Sequence, residues 1–530
     1  MHGAADRAGG AQRGFLGHPP GLAILFFAEM WERFSYYGMR ALLIFYLIQH
    51  WRFDDAGASL IYGAYGALVY ITPVIGGYLA DRWLGQRKAV LFGAAQLACG
   101  HLLMAVEGGG GEAREGIALF WLALAFIIAG SGFLKANISV LVGQLYSRTD
   151  IRRDAAYTIF YVGVNLGAFL GSLAAGWLGQ TYGWRYGFGA AGLGMLLGLA
   201  VFALGTPLLG GRGEPRDPAL LARRIAGVRF ETLLYAAALA GVALIWWLIQ
   251  HQALIGVLLG LAGGALVLHV LVTAVFRLPA EDRDRILAAL VLIVGSILFW
   301  ALFEQAGSSL NLYTDRYTDR RLLGFDVPAS VFQAVNPFYI MLLGPVFAAA
   351  WTMLARRGAE PSAPAKFGLG LAQLGLSFLV LTWGARAAGI GEATPVIFIF
   401  LIYLLQTTGE LCLSPVGLSA MNRLAPPQMA GLMMGAWFFA TSAGNFAAGM
   451  IAAATGSAEA GGAAAGKATV LAVYDRIGWI AIAAGAIMLL LSPLVRRLMH
   501  LGSLRDDGPR IAGEDEAAGA IAGGIVPGAR

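Results

Sequence analysis

The chain has 530 residues, 58% of them hydrophobic and 13% charged, and its mean hydropathy is +0.69. A soluble domain carries roughly 25% charged residues, so this composition excludes a soluble enzyme and indicates a polytopic membrane protein. The net charge of +6 comes from basic residues scattered through short loops. No nucleic-acid partner is expected from such a distribution.

Residues 1–20 read as a polar cytoplasmic tail without a cleavable signal, because the apolar run behind them is too long for a signal peptide. Apolar segments that meet the need for about 20 residues per crossing fall near 21–49, 57–80, 88–106, 117–146, 155–180 and 185–206. After a polar, basic linker at 207–229 they continue near 230–250, 252–276, 286–313, 329–355, 367–387, 394–422, 428–455 and 472–499. This predicts an all-α fold of about fourteen transmembrane helices. The plan is a six-helix bundle at 21–206, two inserted helices at 230–276, and a second six-helix bundle at 277–500. Residues 456–468 read as a flexible outside loop and 501–530 as a disordered cytoplasmic tail. With both termini inside, about 25 Lys and Arg fall on the inner side and about 9 on the outer. The arginines of Asp315–Arg321 are an exception on the outer side. A six-plus-six arrangement is the plan of secondary transporters, whose substrate site lies between two bundles.

The first helix carries a polar stripe: Glu29, Glu32, Arg33, Tyr36, Tyr37 and Arg40 share one face. Lipid does not tolerate such a stripe, so it must face protein or a watery cavity. Lys135, Glu304 and Glu410 are the other charges deep within spans. Arg40 and Glu304 lie about 19 and 18 residues into their spans, which puts them at one height toward the outside. Lys135 and Glu410 match each other toward the inside, near Glu29, Glu32 and Arg33. Both pairs would join the two halves, and an ion pair across a bundle interface is a gate that a proton or charged solute can release. Any single charge also admits a purely structural ion pair.

The turn at 76–88, with Asp81, Arg82, Arg87 and Lys88, reads as an architectural lock on the inner face. His50, His101, His251 and His269 show no metal-ligand spacing, and Cys99 and Cys412 form no disulfide framework. Gly108–Gly111 lacks the Lys-Ser/Thr of a phosphate-binding loop. No metal, enzymatic activity or ATP-driven pumping is expected.

These residues resemble a known family. The turn at 76–88 is similar to the signature loop of the major facilitator superfamily. The stretch Glu29-x-x-Glu32-Arg33-Phe34-x-Tyr36-Tyr37-Gly38 is similar to the signature of its proton-dependent oligopeptide transporters. The likeness continues through Phe133–Ser139, Phe160–Ala168, Phe299–Gln305, Asn336-Pro337 and Gly409–Gly417, and bacterial members carry two extra helices between the bundles. The resemblance implies a symporter of the bacterial cytoplasmic membrane, importing di- and tripeptides with protons by alternating access; a monomer is expected, though the sequence itself does not give the oligomeric state. It implies proton coupling through Glu29, Glu32, Arg33 and Glu304. Arg33, Tyr36, Tyr37, Tyr70, Lys135, Asn165, Trp300, Asn336, Glu410, Ser414 and Trp437 would form the peptide site, with gates at Arg40–Glu304 and Lys135–Glu410. Animal members have a histidine early in the second helix; the span 57–80 has none, which leaves protonation to carboxylates. No cofactor is implied beyond the coupling proton. A related carrier for drugs or another small anionic solute is the alternative, and a channel or peptide sensor would be a different class.

Overall fold

The computed structural model describes residues 14, 16–147, 150, 152–426, 428–456 and 462–501. The expected tails therefore lie almost wholly outside the described residues, as do 457–461 of the expected loop. The first six long helices are α1 (Pro20–Phe45), α2 (Asp55–Leu79), α3 (Gln86–Ala105), α4 (Ile117–Gln144), α5 (Arg153–Tyr182) and α6 (Trp184–Gly205). A short α7 (Pro218–Ala222) and a two-residue hairpin, β1 (Arg224–Ile225) with β2 (Val228–Arg229), lie in the linker. α8 (Phe230–Leu248) and α9 (Gln252–Arg277) follow. Then come α10 (Ala280–Phe303), α11 (Ser309–Tyr317), α12 (Val335–Arg356), α13 (Ala363–Ala388), α14 (Ile397–Leu424), α15 (Ala430–Thr455) and α16 (Gly462–Leu498).

Twelve of the described helical segments are long and apolar enough to cross a membrane. α1 and α15, each 26 residues long, complete the fourteen. α1 misses that measure because of its charged stripe, and α15 is largely Gly, Ala, Thr and Ser. The expected span at 286–313 is not one helix. It breaks into a 3-10 turn at Glu304–Gly307 between α10 and α11, the kind of tightening that marks a hinge. The expected loop at 456–468 is shorter than its composition suggested, since α16 already begins at Gly462. Its Ala-rich stretch favours helix once Lys467 is anchored on the carbonyls of Gly389 and Glu392, at 3.0 and 2.6 Å.

Two large hydrophobic cores result, one drawn mainly from α1–α6 and the other from α9–α16, with two small clusters where α8 and the linker meet the first bundle. α1 packs on α5 and α6, α3 on α4 and α6, and α13 on α14 and α16. The inserted pair is peripheral: only 6% and 11% of the apolar windows of α8 and α9 are buried within the protein, which leaves their flanks for lipid. α8 leans on α4, where the Trp246 indole donates to the Ala118 carbonyl at 3.1 Å.

The turn from α2 to α3 needs a glycine. Gly85 has φ +75°, and a Cβ there would stand 2.6 Å from the Gly213 oxygen and the Pro215 nitrogen of the linker. The Gln86 side chain donates to Asp81 at 2.7 Å, and Arg87 pairs with Glu214. The linker is thus folded against this turn.

Candidate site between the two bundles

The bundles meet at one end. Along the seam of α2 and α15, a Cβ at Gly63 would stand 2.7 Å from the Gly449 Cα. Small residues here let the backbones touch. Ser442 Oγ donates to the Ala67 carbonyl at 2.8 Å, Asn311 Nδ2 to the Ala41 carbonyl at 3.1 Å, and the Ser330 amide to Gln180 Oε1 at 2.9 Å. Two ion pairs close the same end. Arg40 of α1 pairs with Glu304, and its Nε donates to Tyr62 Oη at 2.6 Å. Arg316 of α11 pairs with Asp55 of α2, one guanidinium nitrogen donating to Oδ1 at 2.7 Å. At the opposite end no ion pair joins the bundles among the described residues.

Between these ends, α1 presents its stripe to the interface. Arg33 Nε lies 2.6 Å from Glu29 Oε1 and 3.1 Å from Glu32 Oε2. Both acids are buried, and beyond the Arg33 ion pair Glu32 has no hydrogen-bond donor among the described residues. Lys135 of α4 does not reach Glu410. Its ammonium lies over the Tyr36 ring, 3.9 Å from the centroid, and 5.0 Å from that of Tyr70. It has no hydrogen-bond acceptor. Glu410 of α14 instead accepts from Asn336 Nδ2 at 3.1 Å, and the same amide donates to Thr407 at 3.0 Å. The pairing expected from depth is absent here: Lys135 lies over the tyrosine rings of its own bundle, and Glu410 is held by Asn336 of the other.

The remaining expected residues are more dispersed. Arg40 lies 5.7 Å from the Tyr37 ring centroid. Asn165 donates to its own helix at the Tyr161 carbonyl, 3.0 Å away. Trp300 packs edge-on between Phe299 and Phe303, its indole nitrogen buried without a partner. Ser414 lies one turn beyond Glu410 and is half-buried. Trp437 is embedded in the second core, against Phe367 and over Gly417. Three participants escaped the sequence reading. Tyr62 completes the Arg40 pair, and Asp55 with Arg316 forms the second. Arg316 was visible as an outer-side anomaly in the basic-residue count, but nothing in the sequence named its partner.

Chemically, the interface offers a cation with three open donors at Lys135, a fixed carboxylate at Glu410, and aromatic faces between. Two six-helix bundles around a buried charged interface, with two peripheral helices inserted, define a major facilitator carrier. Comparison with known proteins is specific: the POT family profile matches residues 87–468. The chain is 36% identical over 509 residues to the peptide transporter YePEPT of Yersinia enterocolitica subsp. palearctica, covering 92% of this chain and 96% of that one. It is 32% identical over 512 residues to a di-/tripeptide transporter of Lactococcus lactis subsp. lactis, covering 92% and 98%. A crystal structure of a peptide transporter POT variant in complex with alafosfalin superposes with a TM-score of 0.79 at 36% identity, over 92% of this chain and 97% of that one. A POT family transporter in complex with 5-aminolevulinic acid gives 0.78 at 31% identity, over 91% and 98%. The chain belongs to the POT family and is a multi-pass membrane transport protein.

Proposed function

We propose that this protein imports di- and tripeptides with protons, by alternating access, across a bacterial cytoplasmic membrane in which both termini face the cytoplasm. The observation that carries this reading is the asymmetry of the interface. Arg40–Glu304 is made at one end while Lys135 and Glu410 stand apart toward the other. On this orientation the conformation is inward-facing, with the outer gate shut. A zwitterionic peptide then finds Lys135 and Arg33 for its carboxylate and Glu410 for its ammonium group. Asn165, Asn336 and Ser414 serve its amides. Tyr36, Tyr37, Tyr70, Trp300 and Trp437 supply apolar surface that accepts varied side chains.

Proton coupling follows from competition for cations. A proton on Glu304 removes the anion that holds Arg40, and a proton on Glu29 or Glu32 loosens the claim of that acid on Arg33. The outer gate and the peptide site are thereby tied to the same coupling ion. The working unit is a monomer, since each bundle supplies half of the site. The 5-aminolevulinic acid bound by one relative motivates a second reading, a carrier of other small amino-acid-like solutes.

The test is uptake into proteoliposomes under an inward proton gradient, with labelled dialanine as substrate. Accumulation that an uncoupler abolishes, and that tripeptides compete away, is expected. Uptake no greater than in empty liposomes, or indifferent to the uncoupler, overturns the reading. Competition by 5-aminolevulinic acid but not by peptides selects the second reading.

A further inference from the structure

The hairpin in the linker is an amphipathic ribbon. Its ladder pairs Arg224 with Arg229 and Ile225 with Val228. Successive residues of a strand face opposite ways, so the arginines share one face and the aliphatic residues share the other. The turn is Ala226-Gly227, with φ +52° and +84°, the geometry of a tight hairpin. Arg223, just before the ladder, anchors the chain return by accepting the Phe230 amide on its carbonyl at 2.8 Å.

Three features make this ribbon incomplete on its own. Like charges directly opposite each other across a ladder are unfavourable, and Arg224 opposite Arg229 is such a pair. No carboxylate pairs with Arg223, Arg224 or Arg229 among the described residues, and all three are exposed. The opposite face leaves Ile225 46% and Val228 41% exposed. An anion between the arginines would turn the repulsion into a bridge, and an apolar phase would cover the other face.

The location supplies both. The hairpin ends at Arg229, and α8, long and apolar enough to cross a bilayer, begins at Phe230. Phe230 packs edge-on against Trp83 with centroids 6.0 Å apart, Trp83 meets Tyr78 at 5.9 Å, and the Arg82 guanidinium lies 5.6 Å from the Trp83 centroid. Aromatic rings with adjacent arginines are the composition of a membrane–water boundary.

We propose that the 223–229 hairpin is a docking ribbon for anionic phospholipid headgroups at the bilayer surface. Arg224 and Arg229, with Arg223, hold a headgroup phosphate, and Ile225 and Val228 enter the acyl boundary. Attraction of juxtamembrane basic residues to anionic lipid adds per residue, so each arginine removed weakens binding roughly fivefold.

The experiment compares phosphatidylglycerol with phosphatidylcholine, each titrated into the detergent-purified full chain while thermal unfolding is followed. Phosphatidylglycerol is expected to raise the unfolding temperature more than phosphatidylcholine does. The R224Q/R229Q variant should lose that difference, and R224K/R229K should keep most of it. I225S/V228S should reduce it in part, since the arginines remain. An undiminished difference in R224Q/R229Q overturns the proposal. So does an equal effect of inorganic phosphate, which would mark a soluble-anion site. A difference that appears only after removal of residues 502–530 would make the acidic tail, not lipid, the occupant of the ribbon, and would equally overturn it.

Discussion

Arg40 of α1 and Glu304 of the break after α10 form a buried ion pair across the two bundles, and Tyr62 of α2 takes the second hydrogen bond of the same guanidinium. Three helices are thus latched by one side chain. Removing one partner of a buried pair leaves an uncompensated charge, which costs about 3–5 kcal/mol. The Glu304→Gln variant should therefore shift the protein away from the conformation closed at this end. Spin labels at Glu112→Cys and Phe325→Cys, both exposed at that end, on a background lacking Cys99 and Cys412, report the change. A longer interlabel distance in the variant is expected, together with loss of proton-driven accumulation. An unchanged distance distribution counts against the latch.

Asp55 and Arg316 form the second tie at this end. The Arg316 side chain is one-third exposed, so the pair is worth less than the first. A double-mutant cycle on Asp55→Ala and Arg316→Ala should give a coupling of roughly 0.5–3 kcal/mol in stability. The charge swap D55R/R316D should recover part of the loss in uptake. Strict additivity of the two single variants would show that the pair does not couple.

Lys135 rests on an aromatic face in place of a carboxylate. The Tyr36 ring holds the ammonium by a cation–π contact worth about 0.5–2 kcal/mol, and on the proposed function that contact positions it for the peptide carboxylate. Tyr36→Phe keeps the face and should bind dialanine nearly as the parent does. Tyr36→Leu removes it and should weaken binding roughly two- to thirtyfold. Equal affinities for the two variants would assign Tyr36 to packing alone.

The seam of α2 and α15 has no room for a methyl group. Gly63→Ala places a Cβ against the Gly449 backbone, and overpacking of this kind costs about 1–3 kcal/mol. The same spin-label pair should show the end opened, while Gly241→Ala on α8, with open space around it, should leave the distances as they were. A closed end in both variants would mean that the seam yields without parting.

Much of this was legible in the sequence for physical reasons. Lipid penalises every buried charge, so the few that survive in the spans, from Glu29 to Glu410, point to the interface. Helical rise gives their depth, and depth sufficed to match Arg40 with Glu304. It did not suffice for Lys135 and Glu410. Their heights match, but an ion pair also requires the two side chains to face each other across the interface, and height along a helix does not give that. The break at Glu304–Gly307 was hidden because it is only four residues long and lies between apolar stretches, Phe299–Phe303 before it and Leu310 and Leu312 after it. The structured linker was hidden because Gly- and Arg-rich composition usually signals an open chain, whereas here Gly85 and Arg87 bind it.

The glycine seam bears on how fast such a molecule can work. Ordering a long side chain on burial costs on the order of 1–2 kcal/mol of rotamer entropy, and glycine has none to lose. Where α2 meets α15 at Gly63 and Gly449, backbone lies on backbone. At that point closing requires no search among rotamers, and opening releases no side-chain freedom. The Gly63–Gly449 contact is therefore nearly neutral in side-chain entropy, and on the proposed function the balance between conformations is left to charged side chains such as Arg40 and Glu304 at the same end.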